Sequence, residues 1–240
     1  MRLLEGHPLL AYSVQAAIDS GIFDAVVLST DSAAYAKIGQ HYGAEVPFLR
    51  PNALAQDASP DIEWVQHLLQ QLSDQGRTYE LFSILRPTSP FRTASTIRRA
   101  FEEFYADAES VDSLRAVEPC AQHPGKMWRV EKKRLVPLLP GEVRGAPWHS
   151  SPTQSLPSVW VQNASLEISW TRCAEKEGTI AGPRILPFFT RGEEGLDVNT
   201  ERDWEWASFL LAQKRAHLPA LKAPASHGEG LSMDLGTTGG

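Results

Sequence analysis

The chain has 240 residues, of which 42% are hydrophobic and 22% charged, as expected for a globular protein with a sizeable core. Its formal net charge of −6 argues against a general nucleic-acid-binding role, because such proteins usually carry a basic surplus. The sequence shows neither a membrane-span pattern nor a signal-peptide pattern. Cys120 and Cys173 provide no disulfide framework and no metal-binding spacing. We therefore expect a cytoplasmic protein that binds neither membranes nor nucleic acids.

The first hundred residues alternate between helical and strand patterns. Apolar residues recur at helical spacing from Leu10 to Ile18, before Gly21, and Ser32 and Asp61 are candidate caps of two further helices. Ser95 or Thr96 is expected to open a fourth. Short apolar runs between the helices predict strands at 25–28, 46–49 and 81–85. This order predicts an α/β fold with a mainly parallel sheet and helices on both faces.

Residues 120–165 have a different pattern. Short runs rich in Trp, Val and Leu predict strands at 127–130, 135–138 and 158–161. A long stretch at about 139–157 is rich in Pro, Gly and Ser, and loops of that length usually serve a function or an interface. We expect an arm that packs on a second subunit; the alternative is a lid or an irregular excursion of the same domain.

The α/β pattern returns near the carboxyl end. Residues 184–189 predict a strand, and Thr200 with Asp203 resembles a capping box that starts a helix. Residues 220–240 are rich in Ala, Pro, Gly, Ser and Thr, which predicts a disordered tail. The ordered domain is therefore expected to span residues 1–219.

A stiff polar octapeptide, Leu85-Arg86-Pro87-Thr88-Ser89-Pro90-Phe91-Arg92, follows the apolar run at 81–84. Its prolines restrict the backbone, and polar loops at the carboxyl ends of strands are where open α/β sheets bind ligands. A plain strand-to-helix turn is the alternative. Two arginines beside two hydroxyls favour an anion site.

Asp197 and Asn199 form a candidate cation site. In an extended segment, residues two apart point the same way, with Cα atoms about 6.6 Å apart. Mg²⁺ takes oxygen ligands from one or two side chains and leaves positions for water and phosphate. Asn adds no charge, so the pair would depend on substrate phosphates. Alternatively, Asn199 only helps to cap the following helix.

Other polar residues are candidates for substrate contacts. Arg50, after the predicted strand at 46–49, can hold a phosphate or a carboxylate, or it can pair with Asp57 to brace its own loop. Lys126, Gln162 and Asn163 are of the kind that bind a sugar or its carboxylate. The seven histidines show no ligand spacing, so no zinc site is expected.

Five segments, in order, resemble motifs of the acylneuraminate cytidylyltransferase family (CMP-sialic acid synthetase-like enzymes). The family motifs are S-T-D, R-P-x-x-L-A-x-D, L-Q-P-T-S-P-L-R, N-G-x-x-Y, and D-I-D-T or D-I-N-T. The matching segments here are Ser29–Asp31, Arg50–Asp57, Leu85–Arg92, Asn163–Glu167 and Asp197–Thr200. Each motif is weak alone, but their common order from residue 3 to about 213 makes the resemblance strong.

The resemblance implies a Rossmann-like nucleotidyltransferase that joins CTP to a nonulosonic (nine-carbon α-keto acid) sugar and releases pyrophosphate. It implies a homodimer whose segment 120–165 reaches into the partner's site. Asp197 would be the catalytic residue and a ligand of Mg²⁺, with Asn199 beside it. The implied substrate-binding residues are Arg50, Asp57, Arg86, Thr88, Ser89, Arg92, Lys126, Gln162 and Asn163.

Three departures from the family pattern modify this expectation. Arg86 stands where the family usually has Gln, and Ala164 and Glu167 replace the Gly and Tyr of N-G-x-x-Y. The sequence from Met1 corresponds to the segment after the family's first strand and nucleotide loop. The resemblance therefore implies weak CTP binding, little turnover and a gap in the central sheet, with a misplaced start codon as the expected cause. The alternative function is a catalytically inactive dimeric module that binds a sugar or a partner protein.

Overall fold

The computed structural model describes residues 2–221. Its helices are α1 Leu9–Ser20, α2 Ala33–His41, α3 Asp61–Asp74, α4 Ala94–Ala106, α5 Thr171–Lys176 and α6 Glu201–Ala212. Its strands are β1 Leu3–Leu4, β2 His7–Pro8, β3 Leu81–Ile84, β4 Ser113–Pro119, β5 Trp128–Glu131, β6 Arg134–Pro137, β7 Glu142–Val143, β8 Ala146–Pro147, β9 Trp160–Trp170 and β10 Ile185–Phe189. None of the helices in this range is long and apolar enough to cross a membrane.

The central sheet has the strand order β10-β4-β9-β3. β10 pairs with β4 in parallel, whereas β9 is antiparallel to both β4 and β3. Three of these four strands therefore share one direction, and the chain returns through β9 in the opposite one. The α/β prediction is confirmed, with a mixed central sheet.

Helices cover both faces of this sheet. Ile97, Phe101 and Phe104 of α4 pack with apolar residues of β4, β9 and β10 in one buried cluster. A second cluster joins Val65 and Leu69 of α3 to Ile84 of β3 and Ala174 of α5. Leu81 and Leu85 contact the first cluster, whereas Phe82 and Ile84 contribute to the second. Because alternate residues of a strand point to opposite faces, α4 and α3 lie on opposite faces of the sheet.

Several predicted helix ends are confirmed. Gly21 closes α1 in the left-handed conformation with φ 65°, the Ser32 side chain caps α2, and Thr200 and Asp203 form a capping box at α6. Two predicted caps are wrong. Pro60 precedes α3, so Asp61 is its first residue, and Thr93 caps α4 in place of Ser95 or Thr96.

The predicted strands at 25–28 and 46–49 are also wrong. One parallel bridge joins Val27 to Glu45, with Leu28 N–H donating to Glu45 O (2.9 Å) and Glu45 N–H donating to Val26 O (2.8 Å). Pro47, which follows Glu45 by two residues, has no N–H with which to extend the ladder. The run at 25–28 is therefore extended but is paired on one side only.

The arm predicted at 120–165 contains the hairpins β5–β6 and β7–β8 and the first part of β9. It leaves large apolar side chains exposed, among them Val130 (75%) and Leu135 (61%). Its role in dimerisation stays a prediction. The predicted tail lies outside the described residues from 222 onward.

Asp112 braces the far edge of the sheet. Its buried carboxylate accepts hydrogen bonds from Arg184 (Nη2, 2.8 Å; Nε, 3.1 Å; backbone N, 3.0 Å) and from Arg172 Nη2 (2.8 Å). The side-chain bonds from Arg184, and then that from Arg172, hold the pKa of Asp112 well below its ordinary value. Its stabilisation is therefore present above the unfolded pKa and is lost as the pH falls towards the folded pKa.

We expect Asp112→Asn to lower the free energy of unfolding by about 2 kcal/mol at neutral pH, since a charged acceptor is lost. Below about pH 4 the difference in free energy of unfolding between the variant and the native protein should shrink, because the native protein then loses the stabilisation that comes from the low pKa of Asp112. Urea unfolding at several pH values measures this. Asp107→Asn, at an exposed position after α4, is the control. A decrease in the free energy of unfolding of Asp112→Asn that does not vary with pH would contradict the low pKa assigned to Asp112.

Candidate active site

A cavity of about 520 Å³ lies between the octapeptide, β9 and the loop before α6. Its polar lining consists of Arg86, Glu118, Gln162, Asn163 and Asp197. The structure thus brings together four predicted residues from three separate segments of the chain. The sequence interpretation missed the fifth, Glu118.

The loop before α6 holds Asp197 against the octapeptide. Val198 N–H donates to Thr88 O (2.8 Å), which fixes the neighbouring Asp197 in the cavity wall. Asp197 Oδ2 accepts from Asn199 Nδ2 (2.6 Å), whereas Oδ1 is buried without a partner in the described structure. A buried carboxylate oxygen without a hydrogen bond is costly, so Oδ1 remains an available acceptor for water or a ligand.

Asn163 forms a fixed part of the opposite wall. Its Nδ2 donates to Glu118 Oε2 (3.0 Å) and Thr190 Oγ1 (2.9 Å), and its Oδ1 accepts from Ser165 N–H (3.2 Å). A Cβ atom at Gly195 would lie 2.3 Å from both Asn163 Nδ2 and Glu118 Oε2. Only glycine fits there, because this polar cluster packs directly on its backbone.

A chain of alternating charges connects Arg86 to Gln162, two residues of the cavity lining. Arg86 pairs with Asp61 and lies 3.5 Å from Glu167 Oε1. Glu167 Oε2 lies 3.2 Å from Arg115 Nη2 without forming a hydrogen bond, so that contact is electrostatic. Arg115 in turn donates to Gln162 Oε1 (2.7 Å). This chain fixes both the position of Arg86 and the orientation of the Gln162 amide.

The charge on Arg86 is stabilised by its partners. Burial opposes the charge, but the hydrogen bond and charge of Asp61, with the charge of Glu167, raise the pKa of Arg86 above its ordinary value. Burial likewise favours protonated Asp61, and hydrogen bonds from Arg86 and Trp64 outweigh it, so the pKa of Asp61 is lowered. The cavity therefore has a permanent cation in its wall, as well as the carboxylate of Asp197.

Three predicted octapeptide residues lie mainly behind the cavity wall. Arg92 is fully buried and donates to Ser13 Oγ (2.8 Å), Arg86 O (3.2 Å) and Ser165 O. Burial lowers its pKa to about 9. Ser89 is 1% exposed and its hydroxyl has no partner in the described structure, while Thr88 is half-buried. Their substrate contacts stay predictions; the structure shows Arg92 and Thr88 supporting the loop.

Arg50, Asp57 and Lys126 lie away from this cavity. Arg50 donates to Ser29 Oγ (3.0 Å) and Ser29 O (2.8 Å) and lies over the Trp64 ring, rather than pairing with Asp57. The Asp57 side chain is exposed in its loop. Lys126 Nζ donates to the His149 and Ser151 carbonyls inside the arm. Their roles in substrate binding remain predictions.

The residues of the cavity fit Mg²⁺ only in combination with further oxygen ligands. Residues 2–221 contain no group of three or more His, Cys, Asp and Glu side chains placed to hold a metal. Asp197 Oδ1 offers one unpaired carboxylate oxygen, and Mg²⁺ is commonly held by one or two carboxylates with water and substrate phosphates. Asn199 turns its amide nitrogen towards Asp197, so here it orients the carboxylate; metal binding by Asn199 stays a prediction.

Glu118, Arg115 and Glu167 were not predicted as site residues. The first two belong to β4, which the sequence interpretation did not find because charged residues interrupt its apolar run. Glu167 lies in the extension of β9, where Ala164, Leu166, Ile168 and Trp170 alternate with polar residues. That period of two is typical of a strand and could have revealed the extension.

Residues 1–128, more than half of the chain, match the model of the family described as Cytidylyltransferase. The chain belongs to the cytidylyltransferase family. The matched range contains Arg50 and the whole octapeptide, while Gln162, Asn163 and Asp197 lie beyond it. The predicted relationship to cytidylyltransferases is therefore confirmed.

Several curated relatives of this cytidylyltransferase chain are named as cytidylyltransferases or as CMP-acid synthases. It is 40% identical over 116 residues to the CMP-N,N'-diacetyllegionaminic acid synthase of Legionella pneumophila, covering 48% of this chain and 50% of the relative. It is 42% identical over 98 residues to the N-acylneuraminate cytidylyltransferase of Escherichia coli, covering 41% and 22%. The chain thus matches half or less of these two relatives. Post-translational flagellin modification protein B of Campylobacter coli is 26% identical over 216 residues, 89% of this chain and 88% of that protein.

Solved cytidylyltransferase structures share the fold. A CMP:2-keto-3-deoxy-manno-octonic acid synthetase solved with CTP gives a TM-score of 0.61, with 10% identity, over 89% of this chain and 91% of that one. The 4-diphosphocytidyl-2C-methyl-D-erythritol synthase of Anaerococcus prevotii gives 0.59, also with 10% identity, over 88% and 91%. At such low identity the likeness establishes the Rossmann-like nucleotidyltransferase fold.

The chain of charges that connects Arg86 to Gln162 leads to a stability prediction. Glu167→Gln should lower the free energy of unfolding by roughly 2 kcal/mol, because it leaves Arg86 and Arg115 close together without the carboxylate between them. Glu131→Gln removes an exposed ion pair with Arg129 and should cost about 0–1 kcal/mol. Denaturant unfolding of both variants tests this, and equal costs would show that Glu167 has no special part in the site.

Proposed function

We propose that this protein transfers the cytidylyl group of CTP to a nonulosonic sugar, giving a CMP-sugar and pyrophosphate. The observation that carries the proposal is the cavity in which Asp197, with its unpaired buried Oδ1, faces Arg86, Gln162 and Asn163. The fold and the family support a cytidylyltransferase, and the names of the relatives support an acidic sugar as the acceptor.

The charges and amides of the cavity suit that reaction. A hydroxyl of the sugar attacks the α-phosphate in line, and the main task of the protein is to position the groups and to stabilise the charge. Arg86 offers a fixed cation to a carboxylate or phosphate, and Gln162 offers amide hydrogen bonds. Asp197 Oδ1 would hold Mg²⁺ with the phosphates, and Mg²⁺ would supply neutralisation of the developing charge.

Pyrophosphate release with CTP and Mg²⁺ tests the reaction, using sialic, legionaminic, pseudaminic and Kdo-type sugars in turn. We expect slow release with one nonulosonic sugar and no release with ATP, GTP or UTP. No CTP-dependent release with any sugar would contradict the proposal. If the protein binds a sugar without Mg²⁺ and releases no pyrophosphate, it is instead a catalytically inactive sugar-binding module.

Asp197→Asn should lower kcat/KM by about a hundredfold or more and raise the Mg²⁺ concentration needed for half-maximal rate, since it removes the free anionic ligand. Asp74→Asn, at an exposed position at the end of α3, is the matched control and should retain the native rate. The unfolding temperatures of both variants should lie within a few degrees of that of the native protein. An active Asp197→Asn variant with unchanged Mg²⁺ dependence would exclude Asp197 as the metal ligand.

We also propose a homodimer formed through the arm. The apolar residues exposed on β5 and β6 lie in the same arm as the start of β9, where Trp160 (50% exposed) packs on Phe189 (47%) at 5.6 Å. Exposed apolar clusters of this kind commonly mark interfaces. A second copy would cover them and bring its own arm close to the substrate cavity.

A charge in this arm should break the dimer. Val130→Asp with Leu135→Asp should give a monomer by light scattering, whereas the native protein should give twice the chain mass of 26.5 kDa. Phe209→Asp, which replaces an exposed aromatic residue on α6 (44%), is the control and should remain a dimer. A double variant that stays dimeric would place the interface elsewhere.

The compartment that we propose is the cytoplasm. Both cysteines carry free thiols, with Cys120 partly exposed and Cys173 buried. Free thiols suit a reducing compartment.

A further inference from the structure

The loop between β10 and α6, residues 190–200, carries one side of the substrate cavity. Gly195 and Asp197 of this loop line the cavity directly. Thr190, at its start, accepts a hydrogen bond from Asn163 Nδ2 (2.9 Å) on the opposite wall. The position of the loop therefore decides where the Asp197 carboxylate lies relative to the other polar groups of the cavity.

Backbone hydrogen bonds hold this loop near its two ends. Thr190 N–H donates to Val117 O (3.0 Å) of β4, and Val198 N–H donates to Thr88 O (2.8 Å) of the octapeptide. In the described structure, the backbone N–H and C=O groups of residues 191–197 form hydrogen bonds only within the loop. The middle of the loop therefore depends on its side chains for attachment to the domain.

The side chain of Glu194 attaches this middle part to α4. Its Oε1 accepts from Thr96 Oγ1 (2.8 Å), and its Oε2 accepts from Arg99 Nη2 (2.5 Å) and from Arg191 N–H (2.8 Å). The side chains of Glu194 and Arg99 are only 19% and 17% exposed. Charge-assisted hydrogen bonds are stronger than neutral ones, and a partly buried ion pair is screened little by salt. Leu196 adds an apolar contact, so the Glu194 carboxylate supplies the polar attachment to the helix.

The part of α4 that Glu194 contacts is itself fixed. Thr93 and Thr96 form a reciprocal capping box in its first turn, and Thr93 directly follows the buried Arg92 of the octapeptide. Arg99 also donates to Phe189 O (3.2 Å) at the end of β10. The Glu194 carboxylate is therefore held by a support that is joined to both the octapeptide and the sheet.

The spacing along the loop connects Glu194 to the cavity. Gly195 follows it directly and is buried with its backbone against the side chains of Asn163 and Glu118. Asp197, with its unpaired buried Oδ1, is three residues further along than Glu194. A misplacement of about 1 Å that originates outside the reacting groups can lower a rate by about a hundredfold. Release of the Glu194 carboxylate would free the loop to make such a shift.

We propose that Glu194 is a positioning residue for the cytidylyl transfer. It holds the loop 190–200 on α4 and thereby keeps Asp197 where its Oδ1 meets the cation. The inference rests on the proposed function, in which Asp197 binds Mg²⁺ together with the phosphates of CTP. Glu194 is not part of the cavity lining, so it acts through Gly195 and Asp197 and does not touch the substrate.

Three variants test this role. Glu194→Ala removes the attachment. Glu194→Gln keeps one oxygen as an acceptor for Arg99 and the Arg191 N–H, and its amide nitrogen can donate to Thr96 Oγ1. Glu193→Ala is the matched control, because the Glu193 side chain forms no hydrogen bond or ion pair with the described residues.

Hydrogen exchange at the Val198 amide reports the position of the loop without any turnover. We expect Glu194→Ala to speed this exchange by at least about tenfold, while the amides of the central strand β4 exchange as in the native protein. Glu194→Gln and Glu193→Ala should stay within about twofold of the native rate at Val198. Unchanged exchange in Glu194→Ala, or an equal increase throughout β4, would overturn the inference.

Kinetics separate a positioning role from a purely structural one. Glu194→Ala should lower kcat by about tenfold or more and raise the Mg²⁺ concentration needed for half-maximal rate, with little change in the KM of the sugar. Glu194→Gln should recover most of both losses. A lower kcat with the native Mg²⁺ dependence would also overturn the inference. If the native protein releases no pyrophosphate, the proposed function fails, and the exchange at Val198 alone decides whether Glu194 positions the loop.

Discussion

The guanidinium of Arg92 is buried inside the domain, where its hydrogen bonds go to uncharged groups of three different elements. A buried cation is stable only if its surroundings supply oriented acceptors. The Arg86 carbonyl from the octapeptide, the Ser13 hydroxyl from α1 and the Ser165 carbonyl from β9 must therefore converge on one point. That requirement fixes where the loop leaves the sheet and thus where Arg86 enters the cavity.

The rest of the site is built outward from this fixed loop. The Thr88 carbonyl accepts from Val198 N–H, which places Asp197 opposite Arg86. The Asp61–Arg86–Glu167–Arg115 series then holds the cation in position by alternating charge. Rigidity of this kind is useful in a site that acts by orientation and electrostatics, because little reorganisation is needed when the substrate binds.

Much of this fold could be predicted, because apolar periodicity and caps are local signals. α1, α2, α6 and the capping box at Thr200 follow directly from them. Non-local features could not be predicted in this way. The run at 25–28 has the composition of a covered strand but has a partner on one side only, and β4 and the second half of β9 carry the charges that pair across the sheet. At the site, motif order grouped Arg86, Asn163 and Asp197, which line one cavity, but also Arg50, which lies away from it. Glu118 and Glu167 depend on strand register, which a single sequence does not reveal.

β9 begins among the exposed residues of the arm and ends in the buried centre of the sheet. Its pairing with β4 is irregular, because Arg115 pairs with Glu167 whereas Val117 pairs with Gln162, so that residues 163–166 form a bulge in β9. Gln162 and Asn163 lie where the exposed part meets the buried part, at the wall of the cavity. The exposed part of β9 pairs with residues 117–119 of β4, and the buried part pairs with β3 and with residues 113–115 of β4. The two amides of the cavity wall therefore lie where the strand pairing of the arm ends and that of the central sheet begins.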